Sequence, residues 1–279
     1  MIKRHYQTDY IELELEDIEE FEERVPVKIN TIKTKNSGLV LGGSINDALG
    51  AFADAVVAQQ DNKIILRYIT LLKEFGAANF EFVMRMDEEF SVTLDGDTFV
   101  LTGAPKANFV DTGKWETAFY SAVILRDEAA IDVLNEVDET VFFNANIKPD
   151  SFDLALVNLL QGLFSADSDL IALLEKAWKT SEPDEIDDDR FSYASKILVP
   201  LLPIIRCIFT PNAEDEFNEA MLEAVEQHKD FWTVTNEDNK QGWLSLPLMA
   251  VAVLAYDHKA YQLNFKTEYI LDWLVTRDF

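Results

Sequence analysis

Ser44-Ile45-Asn46-Asp47-Ala48-Leu49-Gly50-Ala51-Phe52-Ala53-Asp54-Ala55-Val56 and, a few residues on, Ile64-Ile65-Leu66-Arg67-Tyr68-Ile69-Thr70-Leu71-Leu72-Lys73-Glu74-Phe75-Gly76 decide the fold class of this chain. Ile45, Leu49, Phe52 and Val56 recur at spacings of four, three and four, and Ile64, Ile65, Tyr68, Leu71, Leu72 and Phe75 form a second such stripe. Each set falls on one face of an α-helix. Ser44 reads as the N-cap of a helix running to about Gln60, with Gly42-Gly43 as the turn before it, and Gly76 reads as the glycine that closes the next helix. Together they predict a helical hairpin.

The same period extends in both directions. Towards the N-terminus, Ile11, Leu15, Ile18 and Phe21 fit a helix over residues 10–23, although Ile11, Leu13 and Leu15 also alternate as a strand would. Beyond Gly76 the period changes: Phe90, Val92 and Leu94 alternate, Asp95-Gly96 supplies turn chemistry, and Thr98, Phe99, Val100 and Leu101 favour a strand. After Pro105 helical spacing returns in Trp115, Phe119, Val123 and Ile124, then in Ala130, Ile131 and Leu134 behind a cap near Asp127. Further helices are expected over 152–164, 170–178, 191–209 with bends at its prolines, 213–232, 244–256 and 269–275. No fixed-period repeat occurs, and loops at 104–112 and 180–190 are the only candidate seams. The expected fold is mainly α, a single irregular multi-helix domain over 1–279 with one small β-hairpin near 90–101.

Composition bounds the function. The net charge is −27, from 51 Asp and Glu against 24 Lys and Arg, yet 48% of the 279 residues are hydrophobic and 11% aromatic. That apolar content argues for a folded body rather than disorder, so the charge is displayed on a surface. Such a surface repels nucleic acid and anionic membranes and attracts basic proteins. Cys207, the single cysteine, lies in the apolar run Ile204–Phe209 and reads as a buried, inert thiol in a reducing compartment. The N-terminus lacks a signal-peptide core, and the most apolar stretches, 197–209 and 244–256, fall short of the roughly 20 residues that span a bilayer. A cytoplasmic location is expected.

No catalytic kit is found. Neither His228 nor His258 has a Glu three residues before it or stands in an H-E-x-x-H pattern, and there is no G-x-S-x-G elbow or phosphate-binding glycine loop. The nearest carboxylate cluster for a two-metal site is Asp187, Asp188 and Asp189, which also reads as a solvated charge run. Glu216, Glu219, Glu223 and Glu226 make an acidic row on one helix, again with a solvent face as the plain reading. These residues imply no cofactor and no metal, and a binding protein rather than an enzyme.

From Trp115 the order of features becomes specific. Trp115-Glu116-Thr117-Ala118-Phe119-Tyr120-Ser121-Ala122-Val123-Ile124-Leu125-Arg126-Asp127 is followed by Glu223-Ala224-Val225-Glu226-Gln227-His228-Lys229-Asp230-Phe231-Trp232. Gly242-Trp243-Leu244-Ser245-Leu246-Pro247-Leu248 then leads to Leu254-Ala255-Tyr256-Asp257 and Thr267-Glu268-Tyr269-Ile270. Over about 110–275 this series resembles the immunity protein 49 family, antidotes encoded beside bacterial polymorphic toxins of contact-dependent competition. The resemblance implies an immunity protein that occludes a cognate toxin domain without catalysis. Charge then implies that the toxin is basic. Candidate partner-binding residues are Glu182, Asp184, Glu185, Asp187, Asp188 and Asp189 in the 182–189 loop, and Glu16, Glu19, Glu20 and Glu23 near the N-terminus. His228-Lys229, expected in the last turn of its helix, Pro247 in a first turn and Tyr256-Asp257 at a helix end read as architectural. The alternatives are an acidic helical scaffold for another basic protein and a metal-dependent hydrolase of unrecognised type. The oligomeric state is not legible in the residues.

Overall fold

Helices α1 (Glu12–Lys35), α2 (Gly38–Val57) and α3 (Asn62–Met84) open a chain that is 66% helical in the computed structural model, which describes residues 1–8 and 10–279. The only sheet among the described residues is a two-stranded antiparallel hairpin, β1 (Glu89–Leu94) and β2 (Asp97–Thr102). Its turn is Asp95-Gly96, where φ values of 49° and 79° give the left-handed pair that a two-residue hairpin turn requires. The molecule is therefore mainly α.

The described residues group into two compact units, Thr8–Lys148 and Met1–Gln7 with Pro149–Phe279. In the first, α1 packs on α2, α2 on α3, and α3 on α4 (Thr112–Leu125) and α5 (Glu128–Asn135). Ile18, Phe21, Val25, Ile29 and Ile32 form the buried stripe of α1, which carries the helix past Pro26 to Lys35, well beyond the expected end at residue 23. Trp115, fully buried, stacks on Phe119 at 4.6 Å and meets Phe142 of α6 (Glu139–Asn144) edge-on, while its indole N–H donates to the Leu134 carbonyl at 2.9 Å.

Three expectations about the hairpin of helices are corrected. Ser37, not Ser44, caps α2, and Ser44 lies inside the helix with its hydroxyl donating to the Val40 carbonyl at 2.8 Å. Gly42 is helical, not a turn. A Cβ there would stand 2.7–2.8 Å from Phe109, Asn79 and Lys106, so the glycine permits a close approach to the 104–111 loop. Gly76 likewise lies mid-helix, where a Cβ would stand 2.4 Å from the Ala118 Cβ and 3.0 Å from its Cα. Both glycines serve packing rather than helix ends.

The second unit contains α7 (Ser151–Gly162), α8 (Leu170–Thr180), α9 (Asp188–Tyr193), α10 (Leu201–Phe209), α11 (Glu214–Thr235), α12 (Leu246–Lys259) and α13 (Asp272–Val275). A wide turn, Ala194–Leu198, joins α9 to α10 just before Pro200, because neither Pro200 nor Pro203 can donate a backbone hydrogen bond to the turn preceding it. Thus Asp188–Phe209 runs on as one 22-residue helical stretch. It and Gly38–Val57 are long and apolar enough to cross a bilayer by length and composition, longer than the apolar stretches 197–209 and 244–256 that stand out in the sequence. In this fold 50% and 56% of their apolar windows lie buried within protein, as core helices do. Cys207 is buried in α10, and burial pushes its thiol pKa up.

Residues 1–7 belong to this second unit. Ile2 bridges Thr267, with Ile2 N–H donating to the Lys266 carbonyl at 2.8 Å and Glu268 N–H to the Ile2 carbonyl at 3.0 Å. Arg4 is buried, its Nε–H donating to the Trp243 carbonyl at 2.6 Å and its Nη2 to the Glu268 carbonyl at 2.9 Å.

Candidate partner-binding surface

Helix α8 and the turn after it form the most distinctive surface. Asp169 caps α8 by accepting from the Ala172 N–H at 3.1 Å. Leu173 faces α7 so closely that a Cβ on Gly162 would stand 2.4 Å from its Cδ1, and Ala177, also on the inner side, is the one buried residue of α8. Ile171 and Trp178, seven residues apart and so on one face, are 73% and 38% exposed. Glu175 lies on this outer side, and Lys176 and Lys179 are exposed towards its other flank. Phe164 and Phe191 are also large exposed apolar side chains. The apolar positions of this helix, Leu170, Ile171, Leu173, Leu174, Ala177 and Trp178, are too many for one buried face. That excess was the available signal.

Four residues after Trp178 the acidic turn begins. Pro183 opens a short 3-10 turn, Pro183–Glu185, closed by the Glu185 N–H on the Glu182 carbonyl at 2.9 Å. Ile186 is buried and anchors the turn, while Glu182, Asp184, Glu185, Asp187, Asp188 and Asp189 are all exposed. None of the six makes an ion pair among the described residues. Arg190, next in the chain after Asp189, turns inward instead, pairing with Asp153 and with Asp150 Oδ2 at 3.6 Å. Those two carboxylates form the capping box of α7, and Asp150 also accepts the Asp187 backbone N–H. Burial raises the Asp150 pKa against the lowering pull of Arg190. Ile186 and Arg190 therefore hold the turn at two points, with its six carboxylates unneutralised towards solvent.

In the unit of residues 8–148, Glu16, Glu19, Glu20 and Glu23 lie on the exposed side of α1, opposite its buried stripe. Their charge is partly compensated on the helix: Glu20 pairs with Arg24 at 2.8 Å, and the C-terminal half carries Lys28 and Lys33, paired with Asp47 and Asp97. Arg67 bridges Glu22 and Asp95, and those carboxylates raise its guanidinium pKa further. Tyr10, Ile11 and Leu13 are exposed at the N-terminal end of α1 and Val27 further along. The row Glu216, Glu219, Glu223 and Glu226 is exposed on α11, with Gln227 donating to Glu223 at 2.9 Å.

His5 and His228 both pack against Tyr269, whereas His258 is exposed. His228 is buried mid-helix in α11, not in its last turn, and its Nε2 donates to the Gly242 carbonyl at 2.9 Å. Burial depresses its pKa to about 4, so it is neutral at pH 7. It meets Tyr269 edge-on at 4.9 Å, and the Tyr269 hydroxyl, pushed up to about 12 by burial, accepts the His5 N–H at 2.7 Å. Among the described residues no group of three or more His, Cys, Asp or Glu side chains is arranged to hold a metal ion; the carboxylates of Asp187, Asp188 and Asp189 do not converge into one.

Compared with known proteins, residues 45–274 match the family model described as immunity protein 49, which takes the likeness well N-terminal of Trp115 to the start of the α2 stripe. No curated protein and no solved structure matches the chain.

Proposed function

The chain belongs to the immunity protein 49 family, and on that premise we propose that it is the antidote to a cognate toxin domain, which it neutralises in the cytoplasm by binding over the toxin's working surface rather than by chemistry. The observation that carries this reading is the family match across 45–274, more than half of the chain. A net charge of −27 supports a basic toxin, since an acidic body accelerates encounter with a cationic partner. Charge alone does not hold a tight complex. A desolvated apolar centre within a polar rim supplies most binding energy, and steering supplies rate and selectivity.

The test is co-expression. The C-terminal domain of the toxin encoded beside this chain's gene is expected to arrest cell growth when produced alone and to be harmless when this chain is produced with it. The purified pair should form a stoichiometric complex in which the toxin's activity is lost. Cells that die despite abundant folded antidote would overturn the proposal.

A further inference from the structure

We propose that the outer face of α8, centred on Ile171 and Trp178 and bordered by the 182–189 turn, is the docking surface for a basic, apolar-tipped segment of the toxin domain. This deepens the immunity reading and rests on it. Three observations converge on the face. Ile171, 73% exposed, and Trp178, 38% exposed, stand one above the other on a helix whose opposite side is already packed on α7, so both present apolar surface to solvent. Tryptophan at the centre of a surface patch is the side chain that most often carries binding energy, because it brings a large rigid area at low entropic cost. Second, the border beginning four residues on is uniformly acidic: Glu182, Asp184, Glu185, Asp187, Asp188 and Asp189 are exposed and without ion pairs, and the adjacent Arg190 is spent on Asp150 and Asp153. Third, the turn is anchored at Ile186 and Arg190, so little ordering cost is left for binding.

The charge selects the occupant. A second copy of this chain would bring its own six carboxylates against these, a like-charge contact that costs affinity, whereas a lysine- or arginine-rich segment would neutralise them. The fitting partner places an aliphatic or aromatic side chain on Ile171 and Trp178 and its cations over the 182–189 turn. By contrast, two acids of α1 are already paired, Glu20 with Arg24 and Glu22 with Arg67, and Lys28 and Lys33 follow them on the same helix.

The experiment measures binding of the full-length chain to the toxin domain encoded beside it, together with protection in cells. Wild type is compared with Ile171→Asp, Trp178→Ala, Trp178→Phe and the triple reversal Asp187→Lys, Asp188→Lys, Asp189→Lys. Ile171→Asp and Trp178→Ala should each weaken Kd by about tenfold or more, acting mainly on dissociation, while Trp178→Phe recovers much of the loss. The triple reversal should slow association about tenfold at low salt and flatten its salt dependence. Thermal unfolding of Ile171→Asp should match wild type, because that side chain is 73% exposed, whereas Trp178→Ala, which removes a side chain only 38% exposed, is compared at temperatures well below its own unfolding midpoint. Wild type that binds and protects, alongside Ile171→Asp and Trp178→Ala variants that bind equally well, overturns this surface and leaves the immunity reading intact. Wild type that neither binds nor protects overturns both. A toxin-free homodimer that the two apolar variants dissociate assigns the face to a second copy and likewise overturns the proposal.

Discussion

At the scale of single residues, Gly76 and His228 show how neighbours override local preference. Alanine normally gains about 1 kcal/mol over glycine inside a helix. At Gly76 the new Cβ would stand 2.4 Å from that of Ala118, so Gly76→Ala is expected to destabilise by about 1–3 kcal/mol, read from urea denaturation. His228 makes a pH prediction. Its folded pKa of about 4 lies below the ordinary value of 6.5, so as pH falls from 6.5 towards 4 the unfolded chain takes up a proton that the folded chain refuses. Stability should therefore fall across that window, by roughly 3 kcal/mol in full, and be unaffected by this group above it. His228→Gln retains a donor for the Gly242 carbonyl but does not titrate. Its loss of stability between pH 7 and 4.5 should be smaller than that of wild type, and equal losses would refute the assignment.

Among the elements, the N-terminal strap has the clearest consequence. Besides the Ile2 bridge and the two Arg4 bonds, Tyr6 stacks on Trp243 with centroids 4.0 Å apart. Deleting residues 1–7 strips partners from the carbonyls of Trp243 and Glu268 and from the Tyr269 hydroxyl. A loss of roughly 2–4 kcal/mol is expected, visible as a lower denaturant midpoint followed by tryptophan fluorescence. Arg4→Ala alone should cost about 1–3 kcal/mol through the two orphaned carbonyls. Nothing in the spacing of Met1–Gln7 announces this pairing, because its partners, Trp243 and residues 266–269, lie far along the chain, 239 residues from Arg4 in the nearer of its two bonds. By contrast the β-hairpin was legible residue by residue, since alternation and the Asp95-Gly96 turn act within six residues on either side. Helix interiors were legible too. The ends at Gly38 and Met84 were not, because glycines that look like punctuation sit at close packing contacts, nor was the end at Lys35, where a buried stripe runs on past Pro26.

For the whole molecule, the proposed organisation is one domain over 1–279, and it predicts a single calorimetric unfolding transition; two transitions, one for each compact unit, would replace it. If the acidic body steers a basic toxin, the association rate constant should fall markedly as ionic strength rises from about 0.01 to 0.15 M, over which the screening length shrinks from roughly 30 to 8 Å, while dissociation changes little. An association rate indifferent to salt would remove steering from the account. The ten candidate acids were easy to single out as charged and exposed in kind, but the companions that give one group of them a centre, Ile171 and Trp178, were not.

By itself, the sequence determined the mainly helical class, the single hairpin, the family and the acidic character, because apolar period, turn chemistry, motif order and net charge are local or additive properties. Tertiary structure alone decided that Gly42 and Gly76 are packing contacts, that Met1–Gln7 completes the unit of 149–279, that Arg190 is withdrawn from the acidic turn, and that Ile171 and Trp178 stay at the surface. Each of these depends on which distant residue stands opposite, and burial or pairing across long sequence separations leaves no period in the chain to read.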